Sequence, residues 1–546
     1  MASNPLEKAT AVQVELADIE ATSKLQPPKS TGDVHLIDEN GQVRRIPIPS
    51  LDPNDPLNFS KWRKLGIIVC CCWFSVFSLV LVGGIGPIIP VFLELYGKEG
   101  KSVSEVINLT TYPSLVMACG AFLILPLSMM FGRRPVFLGC TLLLLGCTIG
   151  AAVSTTFQTH MAMRIMQGFA TGATESVLPL IITDISFLDE RGLWFGVYWG
   201  TQNLINAVFT ISVSYLVADA GWRWFYWTFV ILCGFGMILA FFLLPETRYE
   251  RSPMSMNGQV VHTDEFGVTQ ILSDAEASAR NLTTGNTTTS IPPQNSYLHH
   301  LSPYQGAAPN SLHLGLSALY KMSQSLTSPA VLWSILATSI SLGSGIAISS
   351  TYATVLQSPP YNWSAASTGL VNIGIFPASL LAMFYAGYIG DKINLYLARR
   401  RQGVHIPEDT LVILIFPTIV SAIGLVVYAV TAKDPETNSF WGVIMGWTLY
   451  EFGFIVLLIS STHFAAEAFP QNPGPALVMV VGMKNIVSFG ASYGITPMVQ
   501  KFSYLTAYMI LWGIFVGIFL LGIPVYLLNP RWREYIAKKQ QRKGRD

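Results

Sequence analysis

The sequence predicts an all-α membrane protein in which twelve transmembrane helices form two six-helix bundles, with both termini in the cytoplasm. Of the 546 residues, 51% are hydrophobic and only 12% are charged, whereas soluble domains usually carry about 25% charged residues. Apolar runs of the roughly 20 residues that a helix needs to cross a bilayer occur twelve times. They form two sets of six on either side of a polar stretch, which indicates an internal repeat of a six-helix unit.

The first six predicted spans make up an N-terminal bundle over residues 64–248. In chain order, spans 1 to 6 are Lys64–Ile88, Pro113–Phe131, Val136–Val153, His160–Ile182, Leu193–Val217 and Trp224–Leu244. The polar tail before them, residues 1–63, is predicted to be cytoplasmic and mostly disordered. It is not a signal peptide, because a signal peptide has its apolar run much nearer the start.

The other six predicted spans make up a C-terminal bundle over residues 328–528. Spans 7 to 12 are Val331–Thr351, Thr368–Ile389, Leu411–Val430, Trp441–His463, Leu477–Met498 and Thr506–Leu528. The cytoplasmic linker between the bundles, residues 249–327, is rich in Ser, Thr, Asn, Gly and Pro and is predicted to be mostly disordered, with a short amphipathic helix near Leu312–Leu326. A basic cytoplasmic tail, residues 529–546, follows span 12.

The distribution of basic residues gives the orientation. An even number of spans places both termini on one side, and the seven Lys and Arg residues of the C-terminal tail mark that side as cytoplasmic. The short loops agree, because Arg133 and Arg134 follow span 2, and Lys392 and residues 399–401 follow span 8. Asn362 begins an Asn-Trp-Ser triplet in the loop after span 7, on the opposite side, and is therefore a predicted glycosylation site.

Several motifs resemble those of the major facilitator superfamily, in particular its fungal twelve-helix drug/proton antiporter-like group. Residues 131–135, Phe-Gly-Arg-Arg-Pro, resemble the end of the loop motif between helices 2 and 3, and Arg164, Gln167 and Gly168 resemble the helix 4 motif R-x-x-Q-G. Residues 399–403, followed by Pro-Glu at 407–408, resemble the loop between helices 8 and 9. The resemblance implies the major facilitator fold, transport by alternating access and a monomer without a cofactor.

The loop motif has a counterpart in each half. Gly132, Arg133 and Arg134 follow span 2, while Gly387, Asp391 and Lys392 follow span 8. Both segments are predicted to be turns rich in small residues at a cytoplasmic helix end, where cations suit the helix dipole, and we predict that they are conformational gating loops. The alternative is that they are two ordinary positively charged inside loops.

The chain departs from the family pattern in its loop motif and in helix 5, and the second departure bears on the direction of transport. The loop motif usually carries an acid where this chain has Met129. The antiporter motif of helix 5, usually Gly-Pro followed by Gly, is replaced here by Phe209, Thr210 and Ser214. Because that motif is associated with exchange, its loss weighs against antiport.

Four ionisable residues lie within predicted spans, where a charge costs at least about 2.5–3.5 kcal/mol and therefore suggests function. Arg164 and Glu175 lie in span 4, Glu451 lies in span 10 and Lys484 lies in span 11. We predict that Glu175, Glu451 and Lys484 contribute to substrate binding and that Glu175 takes part in proton coupling. The resemblance assigns proton coupling to Arg164 as well. The alternative for Glu451 and Lys484 is an internal ion pair that joins adjacent helices.

Span 5 carries a polar stripe formed by Trp199, Gln202, Asn203 and Asn206, at three- and four-residue spacing. Amides at this depth should face protein or a wet cavity. We predict that the stripe binds the substrate, and the alternative is hydrogen bonding between helices.

The sequence lacks the motifs of several other classes of protein. The sequence has no P-loop, HExxH or GxSxG motif, which argues against ATP-driven transport and against an enzyme. The seven cysteines lie in apolar runs without CxxC spacing, so they are expected to be buried thiols, and no metal site or cofactor is predicted. The net charge of +1 gives no reason to expect nucleic-acid binding.

The leading hypothesis is a proton-coupled secondary transporter of a small organic molecule, with efflux of a drug or secondary metabolite favoured by group membership. The alternative is proton-coupled import of an organic cation, which the missing helix 5 motif and the two carboxylates of Glu175 and Glu451 favour and which resembles the activity of fungal polyamine and histidinol permeases. A transport-dead nutrient sensor is the rival from another class. The expected location is the plasma membrane, with the vacuolar membrane as the alternative, and the expected partners are protons, the substrate and lipid.

Overall fold

A computed structural model describes residues 34–35, 46–47, 49–50, 52–249, 260–263, 269–272, 294–308, 310–401, 403–468 and 473–543. In the first half, spans 1 to 3 correspond to helices Lys61–Gly83, Val103–Phe131 and Arg133–Ala152, and a short helix, Ile89–Gly97, lies between spans 1 and 2. Span 4 comprises Phe157–Thr171, a 3₁₀ turn at Gly172–Glu175 and Val177–Ile185. Spans 5 and 6 are Arg191–Ala220 and Trp222–Leu243.

The second half repeats this plan. Span 7 is Pro329–Gln357, span 9 comprises Asp409–Val412 and Ile415–Lys433, and spans 10 and 11 are Trp441–Ala468 and Pro473–Phe502. Span 8 runs through Ala365–Thr368, a 3₁₀ segment Gly369–Gly374, Ile375–Ala382, a π-helical segment Met383–Ile389 and Gly390–Arg400. Span 12 comprises Tyr504–Leu520 and is followed by Gly522–Lys543, and 3₁₀ turns also occur at Pro56–Asn58 and Gly86–Ile88.

Ten helices in the described part of the chain are long and apolar enough to cross a membrane. The helices of spans 5 and 11 are not among these ten, but each has 30 residues. A helix of that length extends about 45 Å, so length alone allows both to cross. The fold is therefore that of a helical multi-pass membrane protein, and the count of twelve spans and the cytoplasmic termini stay predictions.

Local signals fix where several spans begin and end. Span 2 starts ten residues before the predicted position because Ser102 and Glu105 form a capping box, in which each side chain satisfies a backbone N–H of the first turn. Spans 2 and 3 are separated only by Gly132, whose φ of 105° suits glycine. Spans 6 and 12 begin directly after Gly221 and Ser503, which share the same backbone conformation, with φ of 86° and 81° and ψ of 161° in both.

The predicted turn after span 8 is wrong. Gly387, Asp391 and Lys392 all lie within continuous helix, which ends only at Arg400. The π-helical segment around Gly387 keeps the backbone hydrogen-bonded where a turn was expected. The two gating segments therefore differ in structure, since only the first has a chain reversal.

The linker and tails are described in part. The predicted linker helix is confirmed as Ser311–Ser325, preceded by a short helix, Tyr297–Leu301, and by the antiparallel strands Val260–Thr263 and Thr269–Leu272. Strand Val34–His35 of the N-terminal tail pairs antiparallel with Val404–His405. Apart from residues 34–35, 46–47 and 49–50, the N-terminal residues 1–51 lie outside the described residues, as do most of residues 250–293 and residues 544–546, so disorder there stays a prediction.

Packing closes the molecule on the side that carries Arg133, Arg134 and residues 399–401, which we call the basic side. All of residues 170–183 in span 4, 455–468 in span 10 and 474–482 in span 11 are buried, and one apolar core contains residues of both halves. Residues 201–206 of span 5 are only half-buried. Six cysteines are buried as predicted, whereas Cys119 is exposed.

Candidate functional site

A buried ion pair joins the two halves. The Lys484 Nζ in span 11 donates to Glu175 Oε1 in span 4, and Asn485 Nδ2 donates to Glu175 Oε2. Lys484 Nζ also donates to the carbonyl of Val481 at 3.0 Å. Glu175 is 2% exposed and Lys484 is 4% exposed. The alternative pairing of Lys484 with Glu451 is therefore wrong for this conformation, because the partner of Lys484 comes from the other half.

Glu175 occupies a break in its helix. The 3₁₀ turn Gly172–Glu175 and the non-helical Ser176 interrupt span 4. Gly172 allows this break to pack against span 2, since a Cβ there would meet backbone atoms of Gly120 and Ala121. The break turns the Glu175 carboxylate toward span 11, which places a negative charge on the surface between the halves.

Glu451 is buried without an ionic partner in the described part of the chain. It lies in span 10 and is 6% exposed. Its Oε1 is 3.9 Å from the position that a Cβ would take on Gly345 in span 7. The absence of a side chain on Gly345 therefore leaves space beside this carboxylate.

Arg164 holds the broken end of span 1. Its guanidinium donates to the carbonyls of Leu81 at 2.7 Å, Val82 at 2.6 Å and Leu109 at 3.1 Å, and to Gln167 Oε1 at 3.0 Å. Span 1 ends at Gly83, and the last carbonyls of a helix have no partner within the helix. Arg164 supplies that partner, and it contacts no carboxylate in the described structure.

The residues of the polar stripe in span 5 differ in their hydrogen-bond partners. The Trp199 indole N–H donates to Thr462 Oγ1 of span 10 at 3.1 Å, so Trp199 joins the halves. Gln202 Oε1 accepts from Ser75 of span 1 at 3.1 Å. Asn203 Nδ2 donates to the Trp199 carbonyl at 2.8 Å, and the Asn206 side chain has no hydrogen bond within the described residues. Hydrogen bonding between helices thus accounts for Trp199 and Gln202, while Asn206 is available to a ligand.

Two acids bind the predicted gating segment after span 2. One lies in span 4 and the other follows span 6. Glu246 accepts the backbone N–H groups of Arg133 at 2.9 Å and Arg134 at 3.2 Å. Arg133 also pairs at 3.1 Å with Asp184, which lies near the basic-side end of span 4. The Arg134 guanidinium donates to backbone carbonyls at the end of span 6 and in the linker, among them Phe241 at 2.8 Å.

The second gating segment contacts the other half. Asp391 Oδ2 accepts the backbone N–H of Leu193 at 3.2 Å, in the first turn of span 5. A carboxylate at a helix N-terminus satisfies a free donor and is favoured by the helix dipole. Gly387 lies against Leu193 and Gly196. Because the two glycines have no side chain, spans 5 and 8 can approach closely there. Lys392 is exposed, with its Nζ 4.5 Å from the centre of the Tyr388 ring.

A buried polar network beside this contact was not predicted. His405 Nε2 and Glu467 Oε2 are 3.1 Å apart, and Thr410 Oγ1 donates to the same oxygen at 3.3 Å. The partners of the buried Glu467 carboxylate are therefore histidine and threonine. Burial opposes the charged form of His405, but the Glu467 carboxylate, with Asp409 and Glu408, outweighs it and raises the pKa of His405.

The same region fastens the C-terminal helix. Arg533 donates to both oxygens of Glu408, at 2.9 and 2.7 Å. Arg401 contacts the Asp409 carboxylate and donates to the Tyr526 hydroxyl at 2.9 Å. The loop motif at 399–408 indicated that this region is special. It did not indicate its partners in the C-terminal helix, which lie more than a hundred residues further along the chain.

The predicted glycosylation site is accessible. Asn362 is exposed, with a left-handed φ of 49°, in the turn between spans 7 and 8. Its modification stays a prediction.

Comparisons with known proteins agree with this architecture. The profile described as Major Facilitator Superfamily matches residues 65–495. An uncharacterised MFS-type transporter of Schizosaccharomyces pombe is 23% identical over 537 residues, which cover 92% of this chain and 90% of the relative. Efflux pump radE of Floropilus chiversii is 23% identical over 486 residues, covering 87% and 80%.

A solved structure supports the fold. The proton:xylose symporter XylE has a TM-score of 0.56 and 14% identity, covering 87% of this chain and 97% of that structure. The family match covers most of the chain and includes both halves of the buried ion pair. The chain therefore belongs to the Major Facilitator Superfamily and is a multi-pass membrane transporter rather than an enzyme.

Proposed function

We propose that this protein is a proton-coupled secondary transporter of a small organic molecule and that the Glu175–Lys484 pair couples proton binding to movement of the halves. The observation that carries the proposal is that each half contributes one charge of a buried pair. In alternating access the two halves move against each other around a central site. This pair is placed where such movement must break it.

Breaking the pair without compensation is unfavourable. Removing one partner of a buried ion pair typically costs about 3–5 kcal/mol, because a charge is left without its counter-charge. A proton on Glu175 removes its attraction for Lys484 and leaves one charge fewer to desolvate. Proton binding from the side opposite the basic side therefore permits the halves to separate, and proton release on the basic side restores the pair.

Arg164 supports this cycle as a positioning residue. It binds the carbonyls at the end of span 1 and so ties spans 1, 2 and 4 together. Movement of span 1 is thereby linked to the helix that carries Glu175. This assigns Arg164 to coupling through the backbone, with no direct exchange of a proton.

Efflux of a drug or secondary metabolite is the direction we propose first. A relative that matches most of the chain is named an efflux pump. The plasma membrane is the location that suits this activity.

Import of an organic cation is the second candidate, and Glu451 favours it. Glu175 already has Lys484 as its counter-charge, whereas Glu451 has no ionic partner in the described structure. A substrate with a positively charged nitrogen would supply that counter-charge beside Gly345, and Asn206 of span 5 would add a hydrogen bond.

The test is accumulation of a mixed panel in yeast cells that do or do not express the protein, at two external pH values. The panel contains spermidine, a quaternary ammonium dye, a weak-acid metabolite and a neutral toxin. Export lowers accumulation on expression, whereas import raises it. Flux in either direction that is unaffected by external pH would contradict proton coupling, and saturable binding without flux would indicate a sensor.

Glu175→Gln tests the coupling pair once a transported compound is found. It should abolish pH-dependent flux while surface expression persists, because the amide cannot exchange a proton. Glu94→Gln is the matched control, since the Glu94 side chain is 79% exposed and pairs with Lys98, four residues further along the same helix. Unchanged flux in Glu175→Gln would refute the assignment.

A further inference from the structure

A cavity lies on the basic side between the two halves. It has a volume of about 280 Å³. The first half supplies the loop 188–190 and Leu193, and the second half supplies the helical extension of span 8 together with His405 and Glu467. It is separate from the Glu175–Lys484 pair and shares no residue with it.

Two deeply buried side chains in its wall have polar atoms without a partner. Asn394 is 5% exposed and His405 is 1% exposed, and within the described residues Asn394 Oδ1 accepts no hydrogen bond and His405 Nδ1 has no partner. Buried polar atoms in folded proteins are nearly always hydrogen-bonded. Both atoms belong to residues that line the same cavity, which points to a ligand that would bond to them.

The two atoms differ in chemical character. The amide Oδ1 of Asn394 can only accept a hydrogen bond. Because His405 Nε2 is paired with the Glu467 carboxylate, its second nitrogen is a donor in the charged ring, and the charged form is favoured by the acids around it. The wall therefore presents one free acceptor and one free donor.

The charges in the wall are also of both signs. The acids of the wall are Asp189, Glu190, Asp391 and Glu467, and Lys392 adds a second cationic donor to that of His405. Asp391 uses one oxygen for the N–H of Leu193. A ligand with an ammonium group and a carboxylate close together can satisfy both kinds of group, whereas a simple cation or anion can satisfy only one.

We propose that this cavity binds a small zwitterionic amino acid, whose ammonium group donates to Asn394 and whose carboxylate accepts from His405. The volume lies just below the range of about 300–1,000 Å³ that is usual for drug-sized ligands. It therefore suits an amino acid with a short side chain.

Occupancy has a consequence for transport. The ligand would contact Leu193 in one half and Asn394 in the other, in a conformation that is closed on the basic side. A ligand that binds one conformation better shifts the population toward it. An amino acid on the basic side would therefore hold the transporter closed on that side and slow its turnover.

The experiment measures the thermal unfolding midpoint of the purified full-length protein in detergent with L-alanine. Ethylammonium chloride and sodium propionate, each carrying one of the two charges, serve as comparisons at the same concentration and ionic strength. L-alanine should raise the midpoint by about 2 °C or more at saturation, and neither comparison compound should do so. An equal rise with ethylammonium or propionate would overturn the zwitterion assignment.

Variants locate the effect. Asn394→Ala and Asn394→Leu both remove the acceptor, one leaving space and the other filling it, so at least one should fold. Each should lose the rise caused by L-alanine. Asn438→Leu, at a half-buried asparagine between spans 9 and 10 that does not line the cavity, should keep it. Persistence of the rise in the Asn394 variants would show that L-alanine binds elsewhere and refute the proposal.

Discussion

At the scale of single residues, the buried ionisable side chains of the spans have three kinds of environment. Arg164 is surrounded by backbone carbonyls, Glu175 is paired with Lys484 across the halves, and Glu451 has no ionic partner in the described structure. A charge bound to the backbone of its own half can stay buried while the halves move. A charge paired across the halves cannot, which is why Glu175 and Lys484 carry the coupling proposal.

Residue types and spacing identified the ionisable groups that lie within the spans, but not their partners. Arg164, Glu175, Glu451 and Lys484 all stand out because they interrupt apolar runs. The distance of 309 positions between Glu175 and Lys484 carries no information about contact. Only the packing of spans 4 and 11 shows that Lys484 points to Glu175 rather than to Glu451.

Gly132→Ala should destabilise the protein by about 1–3 kcal/mol. Its φ of 105° is unfavourable for alanine, and a Cβ would collide with the Glu246 carboxylate that binds the next two N–H groups. The measurement is the thermal unfolding midpoint. Gly139→Ala is the control, because Gly139 lies in span 3 with no atom near its Cβ position. A decrease of equal size in both variants would contradict this explanation.

His405 should make stability depend on pH. Its pKa is raised above the ordinary value of 6.5, so its stabilisation is fully present below that value and is lost as the pH rises through the raised pKa. Thermal unfolding midpoints of the wild type should therefore fall across this window, and His405→Gln should flatten the decrease. The exposed His313→Gln should not. A decrease that persists unchanged in His405→Gln would refute the assignment.

At the scale of elements, the internal repeat is clearest where the last span of each half begins. Gly221 and Ser503 share one backbone conformation, and a tyrosine follows each by five positions. Tyr226 bonds to His160 at 2.6 Å, and Tyr508 bonds to Thr351 at 2.6 Å. The two halves thus keep the same anchoring geometry although the bonded partners differ.

Ser503→Gly should stabilise the protein by about 1 kcal/mol, and Gly221→Ser should destabilise it by a similar amount. A positive φ with ψ near 161° is a region populated almost only by glycine, and the gain is reduced by the greater flexibility of glycine in the unfolded chain. Paired measurements of the unfolding midpoint check this. Destabilisation by Ser503→Gly would mean that the serine hydroxyl outweighs the backbone strain.

The sequence predicted the ends of a helix where local signals determine them. The prediction was wrong where tertiary contacts determine them. The linker helix Ser311–Ser325 was predicted within one residue at each end. The extension of span 8 to Arg400 was not, because glycines at 387 and 390 usually indicate a turn. Those glycines instead allow close packing against span 5 and Ile413, which is a contact that the local sequence does not encode.

At the scale of the whole molecule, three ties close the basic side. Asp391 of one half binds the first turn of span 5 in the other. The N-terminal segment pairs through Val34–His35 with the second half, and its Ile46 carbonyl accepts the N–H of Leu188 in the first half at 2.7 Å. The linker helix packs on spans 2 and 11. Opening of the basic side must break or move each of them.

Asp391→Asn should favour opening of the basic side. When it is ionised, a side chain at a helix N-terminus contributes about 0.3–1 kcal/mol through the dipole, so at a pH high enough to ionise this buried carboxyl group the open population should rise by up to about fivefold. A suitable reporter is Thr462→Cys, which is buried at the contact with Trp199, in a Cys119→Ala background that removes the exposed cysteine. The measurement is the rate of alkylation of this cysteine by a maleimide added to the purified protein.

The comparison of two aspartates makes this measurement specific. Asp391→Asn should accelerate alkylation, whereas Asp434→Asn, at a half-exposed aspartate that pairs with the adjacent Lys433, should leave the rate unchanged. A substrate identified in the accumulation assay should change the rate as well, since it binds between the same two halves. Equal rates in the Asp391 variant and its parent would mean that the carboxylate does not hold the halves together, and that the N-terminal segment and the linker helix suffice to close the basic side.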